Sequence, residues 1–347
     1  MSHRGQVHCF TSATFSYLDR ARVLAETLKT HHPDWILWLC LPDEPPAGHD
    51  IDLELELFDR IVRMDDLDIQ DIPAWTFSHD IVELSTAVKG AVLHRLLTRE
   101  GARKVVYLDP DIAVFGSLDA VVDLLEQHSI VLTPHLLSAE ETIAATEDNE
   151  ISCLMHGVFN LGFLAVAACD EGLQFARWWR DRLLLFCYDD IPRGLFTDQR
   201  WCDLVPAFFG SAAVLRDPGY NVASWNLGRR PISFTPDGDI LAGGHPLRFY
   251  HFTKVQSVGE AMIERYAGGE TGAFELLRWY RERLAANALP GLPNGWWHYG
   301  RYADGAPITR RQRLRYRTDQ ELQREFPDPF AAGPASYQSW CTRNGII

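Results

Sequence analysis

Apolar and polar positions fall into blocks whose period switches repeatedly between that of a strand and that of a helix. Gln6-Val-His-Cys-Phe10 reads as a short strand, and the small, hydroxylated Thr11-Ser-Ala-Thr-Phe-Ser16 suits a tight turn into a helix. On that helix Leu18, Ala21, Leu24, Ala25 and Leu28 recur at helical spacing until Pro33 ends it. Trp35-Ile-Leu-Trp-Leu-Cys-Leu41 is a continuous apolar run, hence a second buried strand, and the order strand, helix, strand predicts a parallel pair with a right-handed crossover. Arg60-Ile-Val-Arg-Met64 is a shorter third strand, followed by an acidic surface connection around Asp65, Asp66, Asp68 and Asp71. Val82, Ala87, Val88, Ala91, Val92, Leu93, Leu96 and Leu97 then mark a long helix that feeds directly into the next strand.

The stretch Lys104-Val-Val-Tyr-Leu-Asp-Pro-Asp-Ile-Ala-Val-Phe115 opens with an apolar run that reads as a buried strand and stops at two carboxylates separated by one residue. At the carboxyl edge of an open α/β sheet, where ligands bind, such a pair suits Mg²⁺ or Mn²⁺ bridging the phosphates of a nucleotide. Asp-Pro-Asp is also a good turn in its own right. Phosphatases that open with Asp-x-Asp-x-Thr are a further reading, but here the Thr position is Ala113 and the strand lies far from the start of the chain. Downstream, residues 118–125 read as helix and 129–134 as strand. Residues 138–151, with five acids and few large apolar groups, read as a mobile loop near the site. Gly157-Val-Phe-Asn-Leu-Gly-Phe-Leu-Ala-Val166 is a buried strand in which Asn160 and Gly162 are out of place, and a glycine there marks a close approach by backbone or ligand. Residues 175–186 form an aromatic-rich core helix, 189–196 a loop, Thr197 caps a helix over 197–204, and 213–216 and 247–252 are strands.

Composition narrows the class. At 347 residues with 46% hydrophobic and 12% aromatic content the chain can bury a large core, and it lacks a run of about 18 apolar residues. A net charge of −14 argues against a general nucleic-acid binder. Seven scattered cysteines without a C-x-x-C pair read as reduced core residues, and the polar opening Met1-Ser-His-Arg-Gly-Gln lacks a secretory signal, so a cytoplasmic location is expected. Against the overall sign, Thr309-Arg-Arg-Gln-Arg-Leu-Arg-Tyr-Arg317 holds five arginines. With Trp296 and Trp297 this run suits either a solvated helix face pinned to the body, or contact with an anionic acceptor or the inner face of the plasma membrane. Pro290-Gly-Leu-Pro-Asn-Gly295 is the best linker, dividing a catalytic domain of residues 1–289 from an appendage of 290–347.

Asp109, Asp111, Asn160, Asp198, Gln199 and His251 all fall at strand ends or a helix start, where the site of such a sheet is built. With Thr11-Ser-Ala13 and Tyr17, Tyr-Leu-Asp109-Pro-Asp111, Phe159-Asn160-Leu-Gly162-Phe, Thr197-Asp198-Gln199 and His251-Phe-x-Lys254 in this order, the chain resembles the GT-A glycosyltransferases from about residue 6 to 266. The closest resemblance is to the retaining family 8 type, which includes bacterial lipopolysaccharide transferases and glycogenins. The resemblance implies an α/β GT-A fold, Rossmann-like with a mostly parallel central sheet flanked by helices, and a C-terminal helical or irregular appendage. It implies a nucleoside-diphosphate-sugar donor, UDP above all, with Mn²⁺ or Mg²⁺ held by Asp109, Asp111 and His251. Donor contacts would come from Thr11, Ala13, Tyr17, Lys89, Asp109 and Lys254, catalytic groups would be Asp198, Gln199 and Asn160, and the acceptor a glycan or lipid-linked glycan. The family's closing His-Phe-x-Gly-x-x-Lys-Pro-Trp is absent, so Lys254 and Lys89 are the candidate diphosphate cations. A sugar nucleotidyltransferase would open with a glycine-rich basic loop, which residues 11–16 lack, and a non-catalytic glycan-binding module would share the 11 tryptophans and 11 tyrosines without metal dependence.

Overall fold

A computed structural model of the chain describes residues 6–255, 258–269 and 271–346. Its centre is a seven-stranded sheet of β1 (Val7–Ser12), β2 (Ile36–Leu41), β3 (Arg60–Arg63), β4 (Lys104–Leu108), β6 (Ile130–Pro134), β7 (Phe159–Ala167) and β10 (Ala212–Val214), in the order β10-β6-β7-β4-β1-β2-β3. β7 runs antiparallel to β4 and β6, and every other pairing is parallel. Strand alternation sends Cys9, Leu37, Leu39 and Val106 to one face and Phe10, Trp38, Cys40, Val105 and Tyr107 to the other. The first face is covered by α1 (Leu18–His31), the second by α3 (Ile81–Thr98) and α7 (Asp170–Phe186), as expected for a doubly covered sheet. α3 and α7 cross so closely at Gly90 that a Cβ there would lie 2.6 Å from the Arg180 Cα.

As the sequence leads one to expect, the strand β4 stops at Asp-Pro-Asp. Beyond it β5 (Ile112–Val114) leaves the main sheet and joins β11 (Val222–Ala223) and β15 (Phe249–His251) in a second sheet, antiparallel to β15. Between these lie the hairpin β8 (Asp189–Asp190) and β9 (Leu195–Phe196), and a small antiparallel sheet of β12 (Ile232–Phe234), β13 (Ile240–Ala242) and β14 (His245–Pro246). The acidic segment expected as a mobile loop is instead mostly helical. α5 (Ile143–Ala145), one π-turn (Thr146–Glu150) and α6 (Ile151–His156) follow each other without a break. The Thr142 side chain caps this run by accepting from the Ala145 N–H, and the Asn149 amide donates to Glu140 at 2.8 Å, so acids that read as solvated are used as local acceptors. Tyr266 at the end of α10 (Val258–Tyr266) also donates to Asp148 at 2.6 Å. Thr197 is not a helix cap: its φ of 43° is left-handed, its hydroxyl donates to Asp198, and the helix α8 (Gln199–Cys202) starts after Asp198.

The C-terminal residues form their own aromatic cluster, in which Tyr302, Tyr316, Phe326 and Tyr337 surround Phe77. Trp296 and Trp297 pack against the two large cores. The arginine run, α12 (Arg310–Arg317), is divided: Arg313 and Arg317 turn inward, whereas Arg310, Arg311 and Arg315 are exposed. Arg313 is buried, donates to the carbonyls of Phe77, His79 and Tyr299, and lies 4.6 Å from the Trp297 ring. Arg317 pairs with Glu83, Arg310 donates to the Asp189 carbonyl, Arg315 pairs with Asp319, and Arg311 is exposed. A sequence pattern of charges cannot tell these fates apart, because burial of a guanidinium depends on carbonyls supplied by a distant loop. All seven cysteines are free, and among the described residues no helix is long and apolar enough to cross a membrane.

Candidate active site

The strand break builds the site. Asp109 stays tied to the main sheet through its N–H, which donates to the Gly162 carbonyl at 2.8 Å, and its own carbonyl accepts from the Ile112 N–H at 3.0 Å to close the turn. β5 then lies against β15 with Ile112 opposite His251, and the Phe252 N–H donates to the Asp111 carbonyl at 2.8 Å. Residues 140 positions apart are thereby brought together. His251 Nε2 lies 2.9 Å from Asp111 Oδ1 and 3.6 Å from Asp109 Oδ2, and one ligand atom from each of the three residues falls within 4.8 Å of the others.

On the adjacent strand Asn160 and Gly162 explain why a buried sequence carries them. Asn160 Oδ1 lies 3.2 Å from both the Gly162 N–H and His251 Nδ1. A Cβ on Gly162 would sit 2.5 Å from the imidazole Cε1, so only glycine lets His251 reach the carboxylates. From α3, Lys89 places its Nζ 3.0 Å from Asp109 Oδ1, 2.9 Å from Asp198 Oδ2 and 4.3 Å from the Tyr107 ring centroid. Gln199 is spanned between two backbone groups: its Oε1 accepts from the Leu161 N–H and its Nε2 donates to the His156 carbonyl, which anchors α8 to β7.

Burial sets the electrostatics. It opposes the Lys89 ammonium, but the carboxylates of Asp109 and Asp198 outweigh it and hold the lysine pKa above its usual value. Asp198 is pulled both ways: burial, with Asp109, raises its pKa against Lys89 and Thr197, and the net direction is upward. Asp111 and His251 form a coupled pair in which burial penalises both charges and their mutual attraction prevails, lowering the carboxyl pKa and raising the imidazole pKa. The His135 imidazole, by contrast, is held neutral, its pKa pushed down to about 4 chiefly by burial.

Lys89, Asp109, Asp111, Asn160, Asp198, Gln199, His251 and Lys254 all line one cavity of about 500 Å³ at the carboxyl edge of the sheet. Lys254, three residues past the end of β15, adopts a left-handed backbone, φ 49°. Thr11, Ala13 and Tyr17 do not line that cavity: Thr11 and Ala13 are buried at the end of β1, and Tyr17 is exposed beneath the Arg20 guanidinium, 4.3 Å from its ring centroid. Three groups were missed in the sequence. Tyr107 donates its hydroxyl to Asp109, and its position two residues earlier on the same strand face was the available signal. His135 follows directly on β6 at the ligand-binding edge, and Trp225, whose indole N–H donates to the His135 carbonyl, carried no signal at all.

Two carboxylates and an imidazole nitrogen converging at this edge fit Mn²⁺ or Mg²⁺. The carboxylates suit a hard cation, and the Asn160 carbonyl facing Nδ1 leaves Nε2 as the nitrogen that would ligate it.

No protein-family model matches the chain. It is similar to two uncharacterized proteins of Bacillus subtilis (strain 168). YfnF is 27% identical over 161 residues, 45% of this chain and 52% of that protein, and YfnD is 23% identical over 258 residues, 73% and 79% respectively. The chain thus spans about half the length of YfnF. The solved structures it resembles are glycosyltransferases. The galactosyltransferase LgtC in complex with donor and acceptor sugar analogs is 16% identical, with 84% of this chain and 99% of that one covered at a TM-score of 0.45. GlyE of Streptococcus pneumoniae TIGR4 is 14% identical, with 83% and 66% covered at 0.43. These are likenesses of shape alone.

Proposed function

We propose that this protein is a metal-dependent glycosyltransferase. It moves a sugar from a nucleoside-diphosphate sugar, most naturally a UDP-sugar, to a hydroxyl of a glycan acceptor with retention of configuration, in the assembly of bacterial surface polysaccharide or lipopolysaccharide. The observation that carries this reading is the convergence of Asp109, Asp111 and His251 in the same cavity as the buried Lys89–Asp198 pair.

A bound Mn²⁺ or Mg²⁺ would supply Lewis-acid neutralisation of the leaving diphosphate. Around it, Asp109, Asp111 and His251 present the ligand atoms and Lys89 a fixed positive charge, with Lys254 at the rim of the same cavity. Asp198, buried against Lys89, is placed to stabilise positive character at the anomeric carbon, the role that retention requires. Gln199, with its amide engaged on the backbone at both ends, sets the depth of Asp198. Thr11, Ala13 and Tyr17 would contact the nucleotide through the turn after β1.

The test is a donor-hydrolysis screen over UDP-, GDP-, ADP- and dTDP-sugars with and without Mn²⁺, with anomeric NMR of the product. Metal-dependent hydrolysis of one donor class with retained configuration is expected. Turnover without metal, or an inverted product, contradicts the reading.

A further inference from the structure

The trio of ligand atoms is oriented by a chain of contacts that ends on a residue outside it. The Gly162 backbone N–H can only donate, so the Asn160 atom it meets at 3.2 Å is the carbonyl oxygen, and the Asn160 amide orientation follows. The same oxygen faces His251 Nδ1 at 3.2 Å, so that nitrogen carries a proton and Nε2 is the one turned to the carboxylates. The Asn160 Nδ2 must then donate at its other end, and its partner is His135 Nε2 at 3.2 Å, the unprotonated nitrogen of that ring. The main chain of His135 is itself fixed. Its backbone N–H donates to the Val158 carbonyl at 3.0 Å, and its backbone carbonyl accepts from the Trp225 indole and the Asn226 amide, each at 3.2 Å.

Resting on the metal reading above, we propose that His135 is a positioning residue that sets metal affinity from a distance, by holding Asn160 so that His251 offers Nε2 rather than Nδ1 to the cation. Without an acceptor at position 135 the Asn160 amide loses a reason to keep its orientation, and the rotated amide would present N–H groups to both Gly162 and His251. A metal-ligating histidine freed from its outer hydrogen bond binds its metal more weakly, typically by about 10–100-fold.

The experiment is a Mn²⁺ titration of the full chain followed by electron paramagnetic resonance of the free ion, with thermal unfolding of the same samples in chelator. His135→Phe keeps a ring of similar size and removes the acceptor, whereas His135→Gln keeps an acceptor near the Nε2 position. Expected are a Mn²⁺ affinity reduced about tenfold in His135→Phe and largely restored in His135→Gln, with little change in metal-free unfolding temperature. His135→Phe binding Mn²⁺ as the parent does would overturn the proposal. So would equal losses in both variants that track a fall in metal-free stability, since that is the behaviour of a packing residue. If the parent binds no Mn²⁺ and Asp111→Asn changes nothing, it is the metal reading that fails.

Discussion

Lys89 and Asp198 form an ion pair at 2.9 Å in which both side chains are almost wholly withdrawn from solvent, 3% and 4% exposed. The ammonium also touches Asp109, so one cation joins a carboxylate of the Asp109–Asp111–His251 trio to one beyond it. Removing it in Lys89→Met leaves a buried acid uncompensated, which is expected to cost about 3–5 kcal/mol in urea unfolding. The double variant Lys89→Met, Asp198→Asn should recover most of that loss. A single variant as stable as the parent would show that the pair is solvated in solution.

Gly162 is the second point of leverage. In Gly162→Ala the new methyl would lie 2.5 Å from His251 Cε1 and 2.7 Å from Asn160 Oδ1, so the imidazole has to move. Mn²⁺ binding measured by calorimetry should weaken about tenfold or more. Undiminished affinity would mean that His251 is not a ligand.

The arginine helix yields a contrast within one segment. Arg313 is buried and satisfies three carbonyls, so Arg313→Met should lower stability by about 2–4 kcal/mol through groups left unpaired. Exposed Arg311→Ser should stay within about 0.5 kcal/mol of the parent. Equal effects in thermal unfolding would argue against the inward role of Arg313.

Asp43 gives a pH dependence away from Asp109, Asp111 and His251. Burial raises its pKa from 3.8 to about 6, against the N–H groups of His298, Phe15 and Glu44 that hold it back. Between those values the folded protein binds the proton and the unfolded chain does not, so this contribution to stability is full at low pH and is lost as pH rises through about 6. Stability of the parent minus that of Asp43→Asn should therefore fall by at most about 3 kcal/mol from pH 4 to 7. Parallel stability–pH curves would refute the shift.

How much was legible in the sequence can be argued from these residues. The main sheet was readable because its strands are buried on both faces, and continuous apolar runs such as residues 35–41 announce that. Asn160 and Gly162 stood out for the opposite reason, as misfits inside such a run, and the structure shows each facing His251. The departure of β5 into a second sheet was not legible, since Ile112, Ala113 and Val114 would suit either sheet and only pairing with β15 decides. Helix formation over 143–156 was hidden because its acids are satisfied by groups on α10 and by Glu140–Asn149 contacts, neither of which leaves a periodic trace. Likewise His135 acts through Asn160, a contact 25 residues away that no local pattern encodes.

In the proposed site Asp109, Asp111 and His251 hold the cation through which a nucleoside diphosphate binds. Calorimetric titration with UDP, with and without Mn²⁺, on the parent and on Asp111→Asn tests it most directly. Expected is UDP binding that requires Mn²⁺ and is abolished in Asp111→Asn, a variant that keeps the size of the side chain and removes only its charge. UDP binding of equal strength without metal, or in Asp111→Asn, would contradict it.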